Sequence, residues 1–211
     1  MAFGIAVAYP GWAFSHEAGS NRLRVHAATP LPDETADWAR QVMADLEAGP
    51  LPPQGDVYHI YISGGGWRET LFFAPARGAG GLVYALASGR NVFLSGADIM
   101  EDRLLKGDVV IQPPRTLSYY ARHELTHLAQ RERLGVWRYF RMTRTVREGI
   151  ADYVALGPAD ADLRDAVATV ADSPEAQLQL MMAFGAYPQF RVDVTDALQE
   201  TTLERLMTGA P

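Results

Sequence analysis

The chain has 211 residues, of which 48% are hydrophobic and 21% are charged. This size and composition favour one compact domain and exclude wholesale disorder. The net charge of −6 argues against a general nucleic-acid binder, which would normally be basic. There is no cysteine, which excludes disulfides, thiolate metal sites and a cysteine nucleophile. A metal ion would therefore need histidine, carboxylate or water as ligands, and the chain has five histidines.

Residues 1–21 form an N-terminal segment that is apolar over about its first fifteen positions. It lacks a basic start and contains Pro10 and Gly11, which makes it a poor signal peptide. Two interpretations stay open: a trimmed signal or anchor, or a segment packed on a domain formed by 22–211. No apolar run is long enough to predict a transmembrane helix. A bacterial cell-envelope or membrane-associated location is favoured over the cytoplasm, since a chain without cysteine suits it.

The first half of the chain predicts a small sheet with one helix. The predicted elements are a strand over 22–27, a helix from Asp33 to about Glu47, a strand over 57–63 and two strands within 81–95. The turn between the last two strands is expected at Ser88-Gly89-Arg90. The triple glycine at 64–66 lacks a phosphate-binding pattern and predicts a plain loop. His59 lies in an alternating strand and is interpreted as a structural histidine.

After Pro113 the pattern changes to that of amphipathic helices. The predicted helices span 115–133, 145–156, 161–170, 174–185 and 187–198, with a last turn over 203–207. Strands first and helices second indicate an α+β fold. We expect a small mixed or antiparallel N-terminal sheet with one helix, followed by a helical half.

The helix predicted over 115–133 contains His123-Glu124-Leu125-Thr126-His127, an HExxH motif. Positions four apart lie on one face of a helix, so the imidazoles of His123 and His127 can bind one metal ion. Glu124 lies one step further round the helix, within reach of a metal-bound water, where a general base is needed. The alternative is a solvated helix face on which these polar residues pair with each other.

The next predicted helix supplies a third ligand. Glu148 follows His127 by 21 residues, and a helical hairpin of that length can return its carboxylate to the two histidines. Asp152 lies four residues later on the same face, where it can accept the N–H of a ligand imidazole. Gly149 would let the two helices approach closely. An ordinary polar helix face is the alternative interpretation of both carboxylates.

HExxH followed by EGxAxY about twenty residues later resembles the gluzincin group of zinc metallopeptidases. The small size and the element order are similar to the minigluzincins, and the resemblance is specific over about 115–156. It implies one Zn²⁺ held by His123, His127 and Glu148, with Glu124 as base and Asp152 bonded to a ligand. It also implies a zincin-like domain with a sheet edge strand that holds an extended substrate above the active-site helix.

Larger gluzincins add a distant histidine or tyrosine that steadies the oxyanion, and this chain offers no readable match. Tyr153, Tyr139 and Tyr187 are the candidates. The expected function is that of an enzyme, a zinc metallopeptidase that hydrolyses peptide bonds through a zinc-activated water, with Glu124 as general base. A peptide or protein substrate would pair with an edge strand near 82–87 or 91–95.

Two other functions stay open. One is a catalytically silent zincin-like scaffold that binds a peptide or protein partner, and the other is a zinc hydrolase of a non-peptide substrate. The segment 131–147 carries six arginines interleaved with aromatic residues. It indicates weak contact with a membrane surface, contact with an acidic substrate, or an aromatic hairpin tucked onto the core. No nucleic-acid partner is expected, and the sequence does not indicate an oligomeric state.

Overall fold

The computed structural model describes residues 2–87, 89–170 and 173–209. The chain adopts the α+β fold predicted from the sequence, with a small N-terminal mixed sheet and a helical C-terminal half. The expected turn at Ser88 lies partly outside the described residues.

The N-terminal half builds most of the strands. Its elements in chain order are α1 (Ala2–Ala8), β1 (His16–Gly19), β2 (Leu23–Ala27), α2 (Thr35–Ala48), β3 (Tyr58–Ile62), α3 (Gly66–Phe72), β4 (Gly81–Val83), β5 (Asn91–Leu94), β6 (Ala97–Asp98), β7 (Arg103–Lys106) and β8 (Val109–Val110). A 3-10 turn at Pro10–Ala13 follows α1. The triple glycine differs from the predicted plain loop, because Gly66 begins α3.

The main sheet has the strand order β1-β2-β3-β5-β4. Its three central strands run parallel, and the two edge strands, β1 and β4, pair antiparallel with their neighbours. β4 therefore leaves one edge free, whereas β5 is paired on both sides. Of the two strands expected to hold a substrate, only the one near 82–87 has a free edge, and the suggestion of 91–95 is wrong for that reason.

The strands β6, β7 and β8 form a separate small antiparallel sheet that the sequence analysis did not predict. Each of these strands has two to four residues. Such short strands give no alternation long enough to be recognised as period two.

One face of the main sheet packs against α2 and the long helix α4 (Leu117–Leu134). Strand alternation places Val25, Ile60 and Leu94 on this face, where all three are fully buried. Asp33 is not the capping residue of α2: the helix begins after Glu34, whose side chain makes no capping hydrogen bond. In α4, by contrast, the Thr116 side chain accepts a hydrogen bond from the backbone N–H of Tyr119.

The N-terminal segment covers the opposite face of the sheet together with α3. Val7, Ala13 and Phe14 are buried there in a cluster that includes Tyr61 and Phe93. β1 belongs to this segment and pairs with β2, so the boundary expected at residue 21 separates two hydrogen-bonded strands. The described part of residues 1–21 thus contributes buried side chains and an edge strand to the domain.

Helices α5 to α10 complete the domain. They are α5 (Val136–Arg141), α6 (Arg144–Leu156), α7 (Ala161–Thr169), α8 (Pro174–Phe184), α9 (Pro188–Glu200) and α10 (Leu203–Thr208). The sequence analysis predicted all of them except the six-residue α5. None of the helices in the described ranges combines the length and hydrophobicity that a membrane span requires.

Helix α6 packs between α4 and α9. A Cβ atom added to Gly149 would lie 2.4 Å from the carbonyl oxygen of Phe190 and 2.7 Å from Cγ2 of Val194. Gly149 therefore permits close approach of α6 to α9, and not to α4 as the sequence suggested. Helix α6 thus contacts α9 closely at Gly149 on one side and faces α4 with polar side chains on the other.

Candidate metal centre

The HExxH motif lies in the middle of α4, on the side turned away from solvent. His123, Glu124 and His127 are only 4%, 7% and 6% exposed. Helix α6 faces them and begins at Thr143, whose side chain accepts a hydrogen bond from the backbone N–H of Val146. Glu148 lies on the side of α6 that faces the two histidines.

The hydrogen bonds of the two histidines assign their tautomers. His123 Nδ1 lies 2.9 Å from Oδ1 of Asp152, an acceptor, so Nδ1 carries the proton. His127 Nδ1 lies 3.1 Å from Oε1 of Gln130. The Gln130 amide is oriented by its own Nε2, which donates to the carbonyl oxygen of Arg147 at 2.9 Å. In both histidines Nδ1 is therefore occupied by a side-chain oxygen, and Nε2 is the ring nitrogen turned towards Glu148.

These two Nε2 atoms converge on Glu148. Its Oε2 lies 3.5 Å from Nε2 of His123 and 3.3 Å from Nε2 of His127. All three ligand atoms lie within 4.8 Å of one another, so the group could hold a metal ion. A tetrahedral ion with bonds of about 2.0–2.1 Å separates its ligands by about 3.3–3.4 Å. The donor set therefore fits a tetrahedral cation. Such an ion would place positive charge beside the Glu148 carboxylate.

Asp152 lies behind His123 and is held by several hydrogen bonds. Its fully buried carboxylate accepts three hydrogen bonds: from His123 Nδ1, from the Tyr119 hydroxyl at 2.6 Å and from the backbone N–H of Tyr187 at 2.7 Å. The Tyr119 oxygen in turn accepts the backbone N–H of Ala186 at 3.0 Å. Asp152 thus joins His123 to the loop between α8 and α9, and its contact with the imidazole is the one expected from the sequence.

The local electrostatics favour a cation. Burial opposes ionisation of Glu148, but hydrogen bonds from the two histidines outweigh it and hold the pKa of Glu148 well below its usual range. Burial likewise opposes a charged His123, yet its bonds to Asp152 and Glu148 raise the pKa of His123 to about 10. The same two carboxylates that stabilise a second proton on His123 would stabilise a metal cation bound at its Nε2.

Glu124 lies beside the ligands and under the edge strand. Burial raises the pKa of Glu124; the two histidines oppose this rise and Glu148 adds to it. A Cβ atom added to Gly81 of β4 would lie 2.7 Å from both Cγ and Oε1 of Glu124. The backbone of β4 therefore passes directly over the expected base, and only a residue without a side chain leaves that carboxylate in place.

A cleft of about 470 Å³ opens onto this group. One wall is formed by β4 and the residues after it, up to Leu86, and the ligand residues form the floor. Tyr139, Phe140 and Tyr187 contribute aromatic side chains to the lining. The free edge of β4 and the candidate metal centre therefore share one cavity.

Two of the three candidate tyrosines line this cleft. The ring of Tyr187 stacks on His123 at 5.7 Å between centroids, and Tyr139 lies edge-on to His127 at 6.3 Å. Tyr153 does not line the cleft; it packs against the hydrophobic cluster that includes Ile150 and Val194. The reason is its position in α6, five residues after Glu148 and so roughly 140° around the helix axis.

Three supporting residues were not recognised in the sequence. Gln130 and Tyr119 lie three residues after His127 and four before His123, and these spacings on one helix face would have indicated them. Arg147 donates from Nε to Oε1 of Glu148 at 3.3 Å, and its guanidinium group lies over the Tyr139 ring. Oε1 is thus engaged by arginine, which leaves Oε2 for the histidine side.

Some residues of the arginine-rich segment 131–147 bind to the rest of the fold, and others are exposed at the surface. Arg131 is half-buried and donates to the carbonyl oxygens of Ala87 and Gly89, which fixes the chain between β4 and β5 against α4. Tyr139 and Met142 are buried, as a tucked hairpin predicts, whereas Trp137 is 83% exposed. The segment is thus partly packed on the core and partly exposed at the surface.

The gluzincin resemblance rests on residues that the fold brings together. His123, His127 and Glu148 converge, Asp152 bonds to His123, and Glu124 lies at the cleft floor. Comparison of the chain with protein-family models, with curated proteins and with solved structures gives no match.

Proposed function

We propose that the protein is a zinc-dependent metallopeptidase. The observation that carries the proposal is the convergence of two Nε2 atoms and one carboxylate oxygen at the floor of a cleft, with Glu124 beside them. Three protein ligands of the type His, His and Glu are typical of catalytic zinc sites, in which a fourth position stays open. His123, His127 and Glu148 would hold the ion.

When bound, zinc supplies Lewis-acid chemistry, which polarises a carbonyl and lowers the pKa of water. The chain's own residues supply the rest. The Glu124 carboxylate accepts a proton from the attacking water while the oxygen of that water bonds to the scissile carbonyl carbon. Glu124 then returns the proton to the leaving amine as the C–N bond breaks. Asp152 and Gln130 keep the two imidazoles oriented throughout.

The free edge of β4 supports a peptide as the substrate. An extended backbone can add to an exposed strand edge through main-chain hydrogen bonds, which do not depend on the side chains of the peptide. β4 offers such an edge along the wall of the cleft, directly above Glu124. A hydrolase of small non-peptide molecules would have no use for this strand.

Tyr139 and Tyr187 are the residues whose hydroxyl groups we expect near the developing oxyanion. A hydrogen bond to that oxygen contributes about 10²–10³ in kcat in other hydrolases. Tyr139→Phe and Tyr187→Phe separate the two: the variant that lowers kcat with little change in KM identifies the oxyanion donor. Equal kcat in both variants would remove this role from both residues.

The decisive experiment compares wild type with Glu124→Gln, each loaded with zinc, on a mixed peptide pool with and without chelator. We expect chelator-sensitive cleavage by wild type, and in Glu124→Gln the same zinc content with cleavage almost lost. Zinc binding without cleavage by wild type would support a silent peptide-binding scaffold instead. A Glu124→Gln variant that cleaves like wild type would refute the assignment of the base.

A further inference from the structure

Large apolar side chains are exposed at the cleft and on helix α5 beside it. We call Leu86, Trp137 and Phe140 the rim residues; they are 77%, 83% and 47% exposed. Leu86 and Phe140 both line the cleft. Scattered exposed apolar residues are ordinary, but a group at one opening is a sign of an interaction surface.

The rim residues lie on both sides of the cleft. Trp137 and Phe140 lie three positions apart on α5 and so on one side of that helix. Leu86 belongs to the opposite wall, which is formed by β4 and the residues after it. The cleft therefore opens between two apolar projections.

Positive charge accompanies one of these projections. Residues 131–147 contain six arginines and one glutamate in a chain whose net charge is −6. We call Arg133, Arg138 and Arg141 the rim arginines: all three are exposed, and within the described ranges they form no ion pair. By contrast, Arg131 and Arg147 are engaged by the fold itself.

We propose that the rim residues and the rim arginines form a docking surface for a bilayer that contains anionic lipid, so that the cleft faces the membrane surface. Exposed tryptophan and leucine beside clustered arginine is the composition that lies in the headgroup region, with the apolar tips inserted and the cations on lipid phosphates. An acidic peptide would explain the arginines but would leave apolar side chains on both walls without a partner.

The test is flotation of the full chain with vesicles of phosphatidylcholine alone or with added phosphatidylserine. We expect binding to the anionic vesicles, weak binding to the neutral ones, and loss of binding at high salt. Changing all three rim arginines to glutamine should weaken binding about 100-fold, since each basic residue near an anionic surface contributes about a fivefold effect. Trp137→Ser should weaken it further.

Matched variants control for charge and for hydrophobicity. Arg40, Arg103 and Arg164, changed together to glutamine, alter the net charge equally at exposed positions elsewhere and should keep binding. Met100→Ser removes another exposed apolar side chain, at 59% exposure, and should also keep it. Glu124→Gln should float like wild type, which separates docking from the proposed peptidase activity.

Three outcomes would overturn the proposal. The first is no flotation with anionic vesicles, and the second is equal loss in both triple-arginine variants, which would reduce the effect to net charge. The third is binding of soluble polyglutamate as tight as binding of the vesicles, with Trp137→Ser indistinguishable from wild type. That last result would assign the surface to acidic polypeptides.

Discussion

Two histidine pairs in this protein differ in what occupies their ring nitrogens. In the pair His123 and His127, each Nδ1 is bonded to a side-chain oxygen, at 2.9 and 3.1 Å, and each Nε2 faces Glu148. In the pair His26 and His59, Nε2 of the first and Nδ1 of the second are bonded to each other at 2.9 Å. In the first pair both Nε2 atoms are available as ligand atoms, whereas in the second pair the two imidazoles occupy each other's nitrogens.

The charges around the two pairs differ in the same sense. Burial lowers the pKa of His26 to about 4 and also lowers that of His59, and the one carboxylate that opposes this, Glu17, is half-exposed. Around His123, two buried or nearly buried carboxylates outweigh the effect of burial. The first pair is held neutral, whereas the second is surrounded by groups that attract a cation.

The strongest way to break this comparison is to remove one imidazole from each pair. His127→Ala should lower zinc affinity by more than about 100-fold, because loss of a ligand exceeds the effect of losing a residue that merely orients one. His59→Gln should keep the zinc content of wild type. Elemental analysis and chelator competition measure both, and zinc loss in His59→Gln would show that the two pairs are not distinct.

The acceptors behind the ligands can be tested next. Asp152→Asn should weaken zinc binding by about 10–100-fold, since the amide removes the negative charge behind His123. Gln130→Met removes a neutral acceptor behind His127 and should cost less. Chelator competition ranks the two variants, with circular dichroism to confirm their folds. The reverse order would mean that charge is not what distinguishes the two supports.

The packing that carries Asp152 and its partners extends to α9, and Gly149→Ala probes it. The new methyl group would meet Phe190 and Val194, so we expect the free energy of unfolding to fall by about 1–3 kcal/mol. Gly4→Ala, in a helix position with nothing within 4 Å, should instead be neutral or stabilising. Urea unfolding compares them; equal stability of both variants would contradict the close α6–α9 contact.

The smallest effect concerns pH and the His26 pair. Because the folded state lowers the pKa of His26 from 6.5 to about 4, its contribution to stability is complete above pH 6.5. It is lost as the pH falls from 6.5 towards 4, since the unfolded chain then binds the proton more strongly. We expect a loss of about 1–2 kcal/mol that His26→Gln abolishes in this window. Identical pH profiles of the two proteins would contradict it.

The candidate site could be predicted wherever it depends on the geometry of one helix. Spacing of four residues determines that His123 and His127 share a face, and likewise Glu148 and Asp152. The folded chain adds only that these two faces meet. Gln130 was accessible by the same reasoning, as a polar residue one turn after a ligand, because the i, i+3 relation needs no tertiary information.

The parts that could not be predicted come from contacts between distant segments. Tyr187 reaches Asp152 and His123 through a loop, so nothing in its local sequence distinguishes it from Tyr153. The N-terminal segment was ambiguous because a seven-residue helix and a 3-10 turn leave no periodic pattern. Gly149 was recognised as a close-contact glycine but assigned to the wrong neighbour, since helix periodicity does not say which helix lies opposite.

The glycine above Glu124 extends the signature of the site beyond helix α4. A methyl group at position 81 would take the space of the Glu124 side chain, so glycine there leaves the carboxylate where it lies. Homologues that use the same glutamate are therefore expected to keep glycine at this place in their edge strand. A search pattern that combines this glycine with HExxH and EGxAxY would select chains that leave space for the glutamate as well as chains that carry the ligand residues. Substituting residue 81 with progressively larger side chains would displace the Glu124 carboxylate by increasing amounts. The sequence of α4, which carries Glu124, would stay unchanged.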